Sequence, residues 1–410
     1  MASGELPEGW AEWPFDECVL APTERHSSVQ QNAYASAGRY PVVDQGEGLI
    51  AGYTDDASLV YTKELPLILF GDHTRHFKYL DFPFATGADG TKLFRARSDK
   101  LEPKYFYYAL RALDLPSRGY NRHFKYLREQ TILAPQEKRE QHSIAAVLSM
   151  LQGAVEAQDK IVATLMELKA ATLAKLFREG LRGEPLKETE IGEIPESWEV
   201  VLCESLCEVI TVGIVVTPAK YYVPSGVPCL RSFNIREDRL YEEDLVFISS
   251  EANRLHSKSI LREGDVVIVR TGYPGTACVV PAKYHGANCI DMLIARPKST
   301  ILSDFLARYL NSPRGKSQVS VGKGGLAQQH FNVGALRTLK VARPPVEEQA
   351  EISRLGSSFD QRIQEAEGVR YAAAGLFSSM LHLLMTGEVR VNNASHESIL
   401  CPPNRPGGGE

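Results

Sequence analysis

Polar side chains suited to contacts with base edges cluster at glycine-flanked turns of this 410-residue chain. Arginine, lysine, asparagine, glutamine and histidine offer the paired or forked donors and acceptors that base reading in the major groove requires. The candidate contacts are Arg75, His76, Lys78, Arg118, Asn121, Arg122, His123, Arg231, Asn234, Arg270, Thr271, Tyr273, Lys323, Gln328, Gln329 and His330. The pattern predicts a protein that binds double-stranded DNA.

The distribution of charge favours this prediction, although the whole chain carries a net charge of −5. Residues 75–128 contain 12 Lys and Arg against 5 Asp and Glu, and residues 254–340 contain 13 against 4. Phosphate contacts from such basic surfaces supply most non-specific affinity for DNA. A basic stretch is more often a solvated face, and single histidines such as His123 and His330 are more often structural. The repetition of the basic stretch favours binding.

Signatures of catalysis are missing from the sequence. It contains no G-x-x-x-x-G-K-[ST] phosphate loop, no H-E-x-x-H zinc motif and no G-x-S-x-G elbow. Cys203 and Cys207 have no second pair, so packing is a better interpretation than zinc binding. The Asn/Asp-Pro-Pro-Tyr/Phe signature of amino-methyltransferases is absent, because Arg343 precedes Pro344-Pro345. We therefore expect a non-catalytic chain that binds no metal or cofactor itself.

The order of several short motifs is repeated along the chain. The matches are Leu6-Pro-Glu-Gly-Trp10 with Ile194-Pro-Glu-Ser-Trp198, Gly119–Phe124 with Leu326–Phe331, and Glu140–Ile144 with Glu348–Ile352. Each match alone could arise by chance, whereas three in one order indicate two divergent copies of one unit. The second copy is longer by roughly 20 residues between its tryptophan and its Glu-Gln pair.

Each copy changes its pattern at a proline. Before Pro135 and before Pro344-Pro345, short β-branched and aromatic runs cut by glycine and proline predict strands. After these prolines, apolar residues recur at helical spacing and predict a long helix with one apolar stripe. The stripes contain Ile144, Leu148, Leu151, Val155, Val162 and Leu165 in the first copy and Ile352, Leu355, Phe359 and Ile363 in the second. We expect the two helices to pair; the alternative is that each lies on its own domain.

Glycines bear on both the ends and the stability of these helices. Gly180 and Gly387 suit the left-handed residue that terminates a helix. The interior glycines each weaken their helix by roughly 1 kcal/mol relative to alanine, so packing against a partner must supply stability. These interior glycines are Gly153, Gly356, Gly368 and Gly375.

Composition and the chain start indicate the cellular environment. Seven cysteines are sparse and odd in number, which argues against a secreted disulfide framework. The N-terminal residues lack the pattern of an export signal, and no run reaches about 18 apolar residues. These features predict a cytoplasmic protein with no membrane partner.

On these residues, the chain resembles the specificity subunits of type I restriction-modification systems over nearly its whole length. The stretch from Leu176-Phe-Arg-Glu-Gly180 to Trp198 is similar to that family's junction between its first helical region and its second recognition domain. Motifs similar to those of the recognition domains are Gly71-Asp-His-Thr-Arg75, Asp81-Phe-Pro-Phe84, Pro228–Ile235 and Gly264-Asp-Val-Val. Pro345, Glu348-Gln349 and Ile352 resemble the opening of the second helical region.

The resemblance implies an α+β fold with an internal pseudo-twofold repeat. Two mixed α/β target-recognition domains would be separated by two long helices that pair as an antiparallel coiled coil. The expected parts are a first recognition domain (1–135), a first helical spacer (136–182), a linker (183–193), a second recognition domain (194–343), a second helical spacer (344–389) and a disordered tail (390–410). A helix of about 40 residues is roughly 60 Å long, and one DNA turn advances about 34–36 Å. Such a helical pair would therefore be long enough to hold the two recognition domains over major grooves about one turn apart.

The resemblance also implies a function and partners. Each recognition domain would read one half of a bipartite, asymmetric DNA site, and the helical pair would set the spacing. The chain would bind two modification subunits, which carry S-adenosylmethionine and methylate adenine N6, and through them restriction subunits that use ATP and Mg. The alternatives are an orphan coiled-coil scaffold, or a DNA-binding protein without active partners. A chain that is itself a methyltransferase is disfavoured by the missing signature.

Overall fold

A computed structural model describes residues 6–88, 90–116, 122–215, 218–320 and 331–391. The fold divides into two compact units. Unit 1 consists of Met1–Asp159 and Gly368–Glu410, and unit 2 consists of Lys160–Glu367. Each unit contains one strand-rich domain together with part of each of two long helices. This division cuts across both helices, so the predicted domain edges stay predictions.

Unit 1 is built from short strands in three sheets. The strands are β1 (Trp10–Pro14), β2 (Val19–Leu20), β3 (Tyr40–Val43), β4 (Gly52–Thr54), β5 (Val60–Tyr61), β6 (Leu67–Gly71), β7 (Phe77–Leu80), β8 (Phe84–Thr86), β9 (Thr91–Ala96) and β10 (Thr131–Pro135). The helices are α1 (Phe15–Cys18), α2 (Pro103–Arg111), α3 (Phe124–Arg128) and the long α4 (Lys138–Glu179). The sheets have the orders β1-β10, β2-β9-β6-β7 and β4-β3-β8-β5, and only the β3–β8 pairing among these is parallel.

Unit 2 contains a similar set of elements. Its strands are β11 (Leu186–Lys187), β12 (Ile194–Pro195), β13 (Glu199–Leu202), β14 (Cys207–Val212), β15 (Tyr222–Val223), β16 (Val227–Leu230), β17 (Ile235–Arg236), β18 (Arg239–Leu240), β19 (Val246–Ile248), β20 (Val266–Val269), β21 (Ala277–Val279), β22 (Asn288–Cys289), β23 (Met292–Pro297) and β24 (Lys340–Arg343). Its helices are α5 (Cys203–Leu206), α6 (Ser250–Leu255), α7 (Ser303–Asn311), α8 (Pro313–Ser320), α9 (Val333–Thr338) and the long α10 (Val346–Met385).

The sheets of unit 2 repeat those of unit 1, which confirms the internal repeat. The pair β13–β24 corresponds to β1–β10, and the sheet β14-β23-β20-β21 corresponds to β2-β9-β6-β7. The sheet β15-β19-β16-β22 contains one parallel pairing, β16–β22, as its counterpart contains β3–β8. Between β16 and β20, unit 2 adds the β17–β18 hairpin, which has no counterpart among the strands described between β3 and β6. This hairpin accounts for part of the extra length of the second copy.

Aromatic side chains form the core beside the long helices. Helix α2 begins at Pro103 after Glu102, whose carboxylate accepts a hydrogen bond from the Tyr105 N–H. All residues from Tyr105 to Leu110 are buried, so α2 is enclosed on every side. In unit 2 the Phe177 ring lies 5.5 Å from those of Phe305 and Tyr309, both on α7.

A glutamine fastens the start of each long helix to its strand-rich domain. The Gln141 amide donates to the carbonyls of Pro135 (2.8 Å) and Lys100 (3.1 Å) and accepts from the Glu102 N–H (2.7 Å). The Gln349 amide makes the same three bonds, to Pro344 O (2.9 Å), to Thr300 O (3.2 Å) and from Leu302 N (2.8 Å). The Glu-Gln motif of the sequence repeat is therefore a repeated structural joint.

The end of each long helix packs on the strand-rich domain of the other copy. Gly180 follows α4 with φ 65°, and a Cβ there would lie 3.0 Å from Pro195 Cγ. Gly387 follows α10 with φ 74°, and a Cβ there would lie 2.7 Å from Pro7 Cγ. Both positions therefore require glycine for conformation and for space.

A tryptophan lies beneath each of these helix ends, but the two are bonded differently. Trp198 Nε1 donates to Glu348 Oε2 at 3.1 Å, and the other oxygen of this buried carboxylate accepts from Leu181 N at 2.8 Å. Trp10 Nε1 is buried without a hydrogen-bond partner within the described ranges. The equivalent carboxylate in unit 1, Glu140, pairs with Arg390 instead.

The long helices pair antiparallel in each unit, as predicted. In unit 1, Asp159 of α4 forms an ion pair with Arg370 of α10, and Ile144 and Leu148 share a core with Phe377. In unit 2, Lys169 of α4 contacts Asp360 of α10 at 2.6 Å. The same core of unit 1 includes residues of α2, so α4 packs on its own domain as well as on the other helix.

The residues predicted to pair the helices differ in burial. Ile144, Leu148, Ile352 and Ile363 are buried, Leu151, Val155, Val162, Leu165 and Phe359 are half-buried, and Leu355 is exposed. Burial is deepest where a strand-rich domain also covers the helix. The specific pairing role of each residue stays a prediction.

The sequence predicts neither a disulfide framework nor a membrane-spanning segment. Its six cysteines are all buried and unpaired, and the seventh, Cys401, lies outside the described residues. No helix in the described ranges is both long and apolar enough to cross a bilayer. The predicted disordered tail lies outside the described residues from residue 392 onward.

Candidate nucleic-acid interface

The first candidate surface is hairpin 1, formed by β6, residues 72–76 and β7. Its turn is tied down by Asp72, whose buried carboxylate accepts from the Phe124 N–H at 2.7 Å. Arg75 has φ 64° and donates through Nη1 to the Leu115 carbonyl at 2.6 Å. His76 is exposed beside it. Hairpin 1 therefore presents polar side chains from a fixed backbone.

The second candidate surface is hairpin 2, formed by β20, residues 270–276 and β21. Gly275 N donates to Val269 O at 3.0 Å, and Thr276 N donates to Tyr273 O at 3.2 Å. Gly272 has φ 80°, a conformation that glycine adopts without strain. The Tyr273 side chain is 84% exposed at the tip of this internally bonded turn. A rigid loop thus holds a large aromatic ring in solvent, next to half-buried Thr271.

Each hairpin accepts a backbone hydrogen bond from a residue that lies shortly before a helix. In hairpin 1, the Asp72 carbonyl accepts from the His123 N–H at 2.9 Å, just before α3. In hairpin 2, the Arg270 carbonyl accepts from the Phe331 N–H at 3.2 Å, shortly before α9. The fold therefore brings His123 to hairpin 1 and Phe331 to hairpin 2.

Several predicted contact residues are buried inside the units. His123 is 1% exposed, and its Nδ1 lies 2.9 Å from the Asp72 carbonyl oxygen. Lys78 is 4% exposed, bonds the Gly48 carbonyl and lies 3.9 Å from Asp44. Burial lowers the pKa of Lys78, and the nearby Asp44 opposes this shift. Both side chains hold loops in place, and their contact with DNA stays a prediction.

Arg231 and Asn234 occupy a similar supporting position in unit 2. Asn234 is fully buried, and its Nδ2 donates to the carbonyls of Tyr241 (3.0 Å) and Glu243 (2.9 Å). Its Oδ1 accepts from the Arg231 N–H at 3.0 Å. The Arg270 guanidinium pairs with Asp291, and its Nε donates to the Phe331 carbonyl at 3.2 Å, so its donors are engaged within unit 2.

The remaining predicted contacts fall into two groups. Arg122 is exposed next to hairpin 1. Arg118, Asn121, Lys323, Gln328, Gln329 and His330 lie outside the described residues. Among the described residues, the predicted contacts that lie at least partly exposed on or beside the two hairpins are Arg75, His76 and Arg122 in unit 1 and Thr271 and Tyr273 in unit 2, and their contact with DNA stays a prediction.

Comparisons with known proteins find similarity to one family. A family model described as "Type I restriction modification DNA specificity domain" matches residues 195–369. The chain is 27% identical over 266 residues to the type I restriction enzyme MjaVIII specificity subunit of Methanocaldococcus jannaschii, an alignment that spans 62% of this chain and 61% of that protein. It is 23% identical over 366 residues to the EcoR124I/EcoR124II specificity subunit of Escherichia coli, covering 85% and 86% of the two chains.

A solved structure shares the fold of the chain. The crystal structure of the S subunit of a type I restriction-modification system from M. genitalium superposes with a TM-score of 0.58, at 14% identity, over 93% of this chain and 97% of that chain. The chain is therefore similar to type I restriction-modification specificity subunits, in sequence most clearly over residues 195–369 and in fold over most of its length. The family match covers most of unit 2 and the first part of α10, whereas unit 1 is related to unit 2 by the repeated sheet order.

One exposed aromatic cluster was not predicted from the sequence. Phe233 is exposed, its ring lies 5.8 Å from that of Tyr241, and the Arg236 guanidinium lies 5.3 Å from its centroid. The sequence does contain a signal for this cluster, because Phe233 lies between two predicted contacts, Arg231 and Asn234.

Groups that could hold a metal are not found in the part of the chain that the structure describes. No set of three or more histidine, cysteine, aspartate or glutamate side chains there has suitable proximity. The exposed side chains of the two hairpins can instead form hydrogen bonds and aromatic contacts, which are the means of base recognition.

Proposed function

We propose that this chain is the non-catalytic DNA-reading subunit of a type I restriction-modification complex. Each strand-rich domain reads one half of a bipartite, asymmetric DNA site, and the paired helices set the spacing between the halves. One observation supports the proposal above all. The chain contains two divergent copies of one sheet arrangement, and in each copy a hairpin held by backbone hydrogen bonds lies in or next to a basic part of the chain. Differences between the two hairpins give the two half-sites different sequences.

The chemistry of the hairpins supports direct readout. Exposed Arg122 and His76 suit phosphate and base-edge contacts at the first half-site. Exposed Tyr273 suits an apolar contact with a base at the second. Because their backbones are bonded in place, little ordering cost accompanies binding.

The similarity to specificity subunits and two equivalent leucines support the partners that we propose. Leu168 and Leu376 lie 27 residues beyond Gln141 and Gln349, respectively, and each is 51% exposed on a long helix. Equivalent apolar positions on two copies suit two copies of one partner. We assign these positions to two modification subunits, which bring S-adenosylmethionine, and through them to restriction subunits that use ATP and Mg.

DNA binding is tested on the complex of the chain with purified modification subunit. Titration of a genomic duplex library, with sequencing of the bound fraction, should select one split motif. We expect Tyr273→Ala to relax one half of this motif and to leave the other half intact. Tyr371→Ala, a change of an equally exposed tyrosine on α10, should leave both halves intact. The absence of a selected motif with the wild-type complex would refute the proposed function.

Partner binding is tested by the mass of the purified assembly. Leu168→Arg and Leu376→Arg should each remove one modification subunit, and the double variant should remove both. Leu255→Arg changes a strongly exposed leucine on α6, outside the long helices, and should leave the assembly intact. Retention of two modification subunits by the double variant would contradict the assigned surface.

A further inference from the structure

Four charged side chains form a closed ring in unit 2. Lys169 Nζ lies 2.7 Å from Asp238 Oδ2 and 2.6 Å from Asp360 Oδ1. Arg308 donates to the same two carboxylates, to Asp238 Oδ2 at 3.1 Å and to Asp360 Oδ2 at 2.7 Å. The four residues come from α4, the β17–β18 turn, α7 and α10. The ring therefore joins the second strand-rich domain and its added hairpin to both long helices.

The ring is mostly removed from solvent, and most of its other polar atoms have partners, although Arg308 Nε is buried without a hydrogen-bond partner among the described residues. Arg308 is 4% exposed, and Asp360, the most accessible member, is 34% exposed. Asp238 Oδ1 accepts from Asn311 Nδ2 at 2.7 Å, and Arg308 Nη2 donates to Ser357 Oγ at 3.1 Å. Such satisfaction is what makes a buried ionic group tolerable, and loss of one member leaves a buried charge without its partner.

The backbone around the ring is shaped to accommodate it. Asp238 has φ 61° in the β17–β18 turn, and its N–H donates to the Ala277 carbonyl at 3.0 Å. The Arg308 guanidinium lies against Gly356 of α10, where a Cβ would be 2.6 Å from Nε and 2.7 Å from Cζ. Glycine at this helix position therefore leaves the space that the guanidinium occupies.

Unit 1 joins its domain to the helices by different chemistry. Tyr108 of α2 donates to Ser149 Oγ at 3.1 Å, at the place where Arg308 donates to Ser357 in unit 2. The Tyr108 ring lies 6.1 Å from that of Phe377. An aromatic joint in unit 1 thus corresponds to an ionic joint, with an added hairpin, in unit 2.

We infer that the Lys169–Asp238–Arg308–Asp360 ring is a positioning device that fixes the second recognition domain on the helical pair and so restricts the DNA gap that the complex accepts. The inference rests on the proposed function. One base pair added to the gap moves the second half-site by about 3.4 Å and rotates it by about 35°. A rigid joint resists this displacement, whereas a loosened joint follows the DNA. Ionic pairing with fixed geometry suits this role better than a non-directional apolar contact.

The test measures gap tolerance separately from base recognition. The complex with modification subunit is titrated with duplexes that carry its selected motif with the natural gap, one base pair fewer, or one more. The ring variants are Asp360→Asn, the charge-balanced Lys169→Met with Asp360→Asn, and Gly356→Ala, which displaces the guanidinium without removing a charge. The control removes an exposed ion pair of the same unit, by Glu242→Gln at its contact with Lys283.

We expect each ring variant to lower the preference for the natural gap by about tenfold. Penalties for base substitutions in either half-site should remain at their wild-type values, and the control should behave as wild type. An unchanged gap preference, or an equal loss of affinity at all three gaps, would overturn the inference. Failure of every ring variant to fold would reduce the ring to a folding element and overturn it too. A wild-type complex that ignores base substitutions instead refutes the proposed function.

Discussion

Gly356→Ala should destabilise unit 2 even though it places a better helix former in the interior of α10. Alanine alone gains about 1 kcal/mol over glycine in a helix interior. At this position, however, the new Cβ would lie 2.6 Å from Arg308 Nε, so the guanidinium must move away from its two carboxylates. Breaking a buried ion pair costs about 3–5 kcal/mol. The net loss of unfolding free energy is therefore about 2–4 kcal/mol.

The assay is urea unfolding followed by circular dichroism, with hydrogen exchange of the α10 amides to locate the loss. Gly368→Ala is the matched control, because it lies on the same helix with no atom within 4 Å of a Cβ. This control should raise stability by about 1 kcal/mol or less. Equal stabilisation by both substitutions would show that Arg308 is not held against the helix, and would refute the reasoning.

Three further predictions concern the two equivalent tryptophans, two buried cysteines and one predicted phosphate contact. Trp198→Phe should cost about 1.5–3 kcal/mol more in urea unfolding than Trp10→Phe, because only the Trp198 indole bonds a buried carboxylate; equal costs would contradict this. Burial raises the pKa of Cys18 to about 11 and of Cys229 to about 12, so a thiol reagent at pH 8 should label neither until the chain unfolds, as read by mass spectrometry. Arg122→Ala should make the slope of log affinity against log salt shallower by about 0.9, and an unchanged slope would exclude a phosphate contact.

Much of the fold was predictable because short sequence motifs recur at equivalent positions of its two copies. The Glu-Gln pairs at Gln141 and Gln349 recur because each amide makes the same three bonds at a helix start. Gly180 and Gly387 recur because each follows a helix with positive φ beneath a proline. Apolar spacing likewise indicated both long helices, since a stripe of period 3.6 survives divergence.

The interface was less predictable because exposure depends on tertiary packing. Lys78 and His123 have the right chemistry for a DNA contact, but their side chains turn inward to bond backbone groups. Nothing in the neighbouring sequence distinguishes them from exposed Arg122. The ionic ring was not predictable either, because Lys169 and Asp360 lie far apart in the chain and meet only when the helices pair.

The most direct test of the central claim is single-molecule sequencing of genomic DNA from cells with and without this chain, with N6-methyladenine scored by motif. The account predicts that a split motif with a fixed gap of unspecified bases is methylated only when the chain is present. A Tyr273→Ala chain should then change one half of that motif. Methylation of the same motif in both cells, with no motif dependent on the chain, would contradict the claim that the chain selects the site.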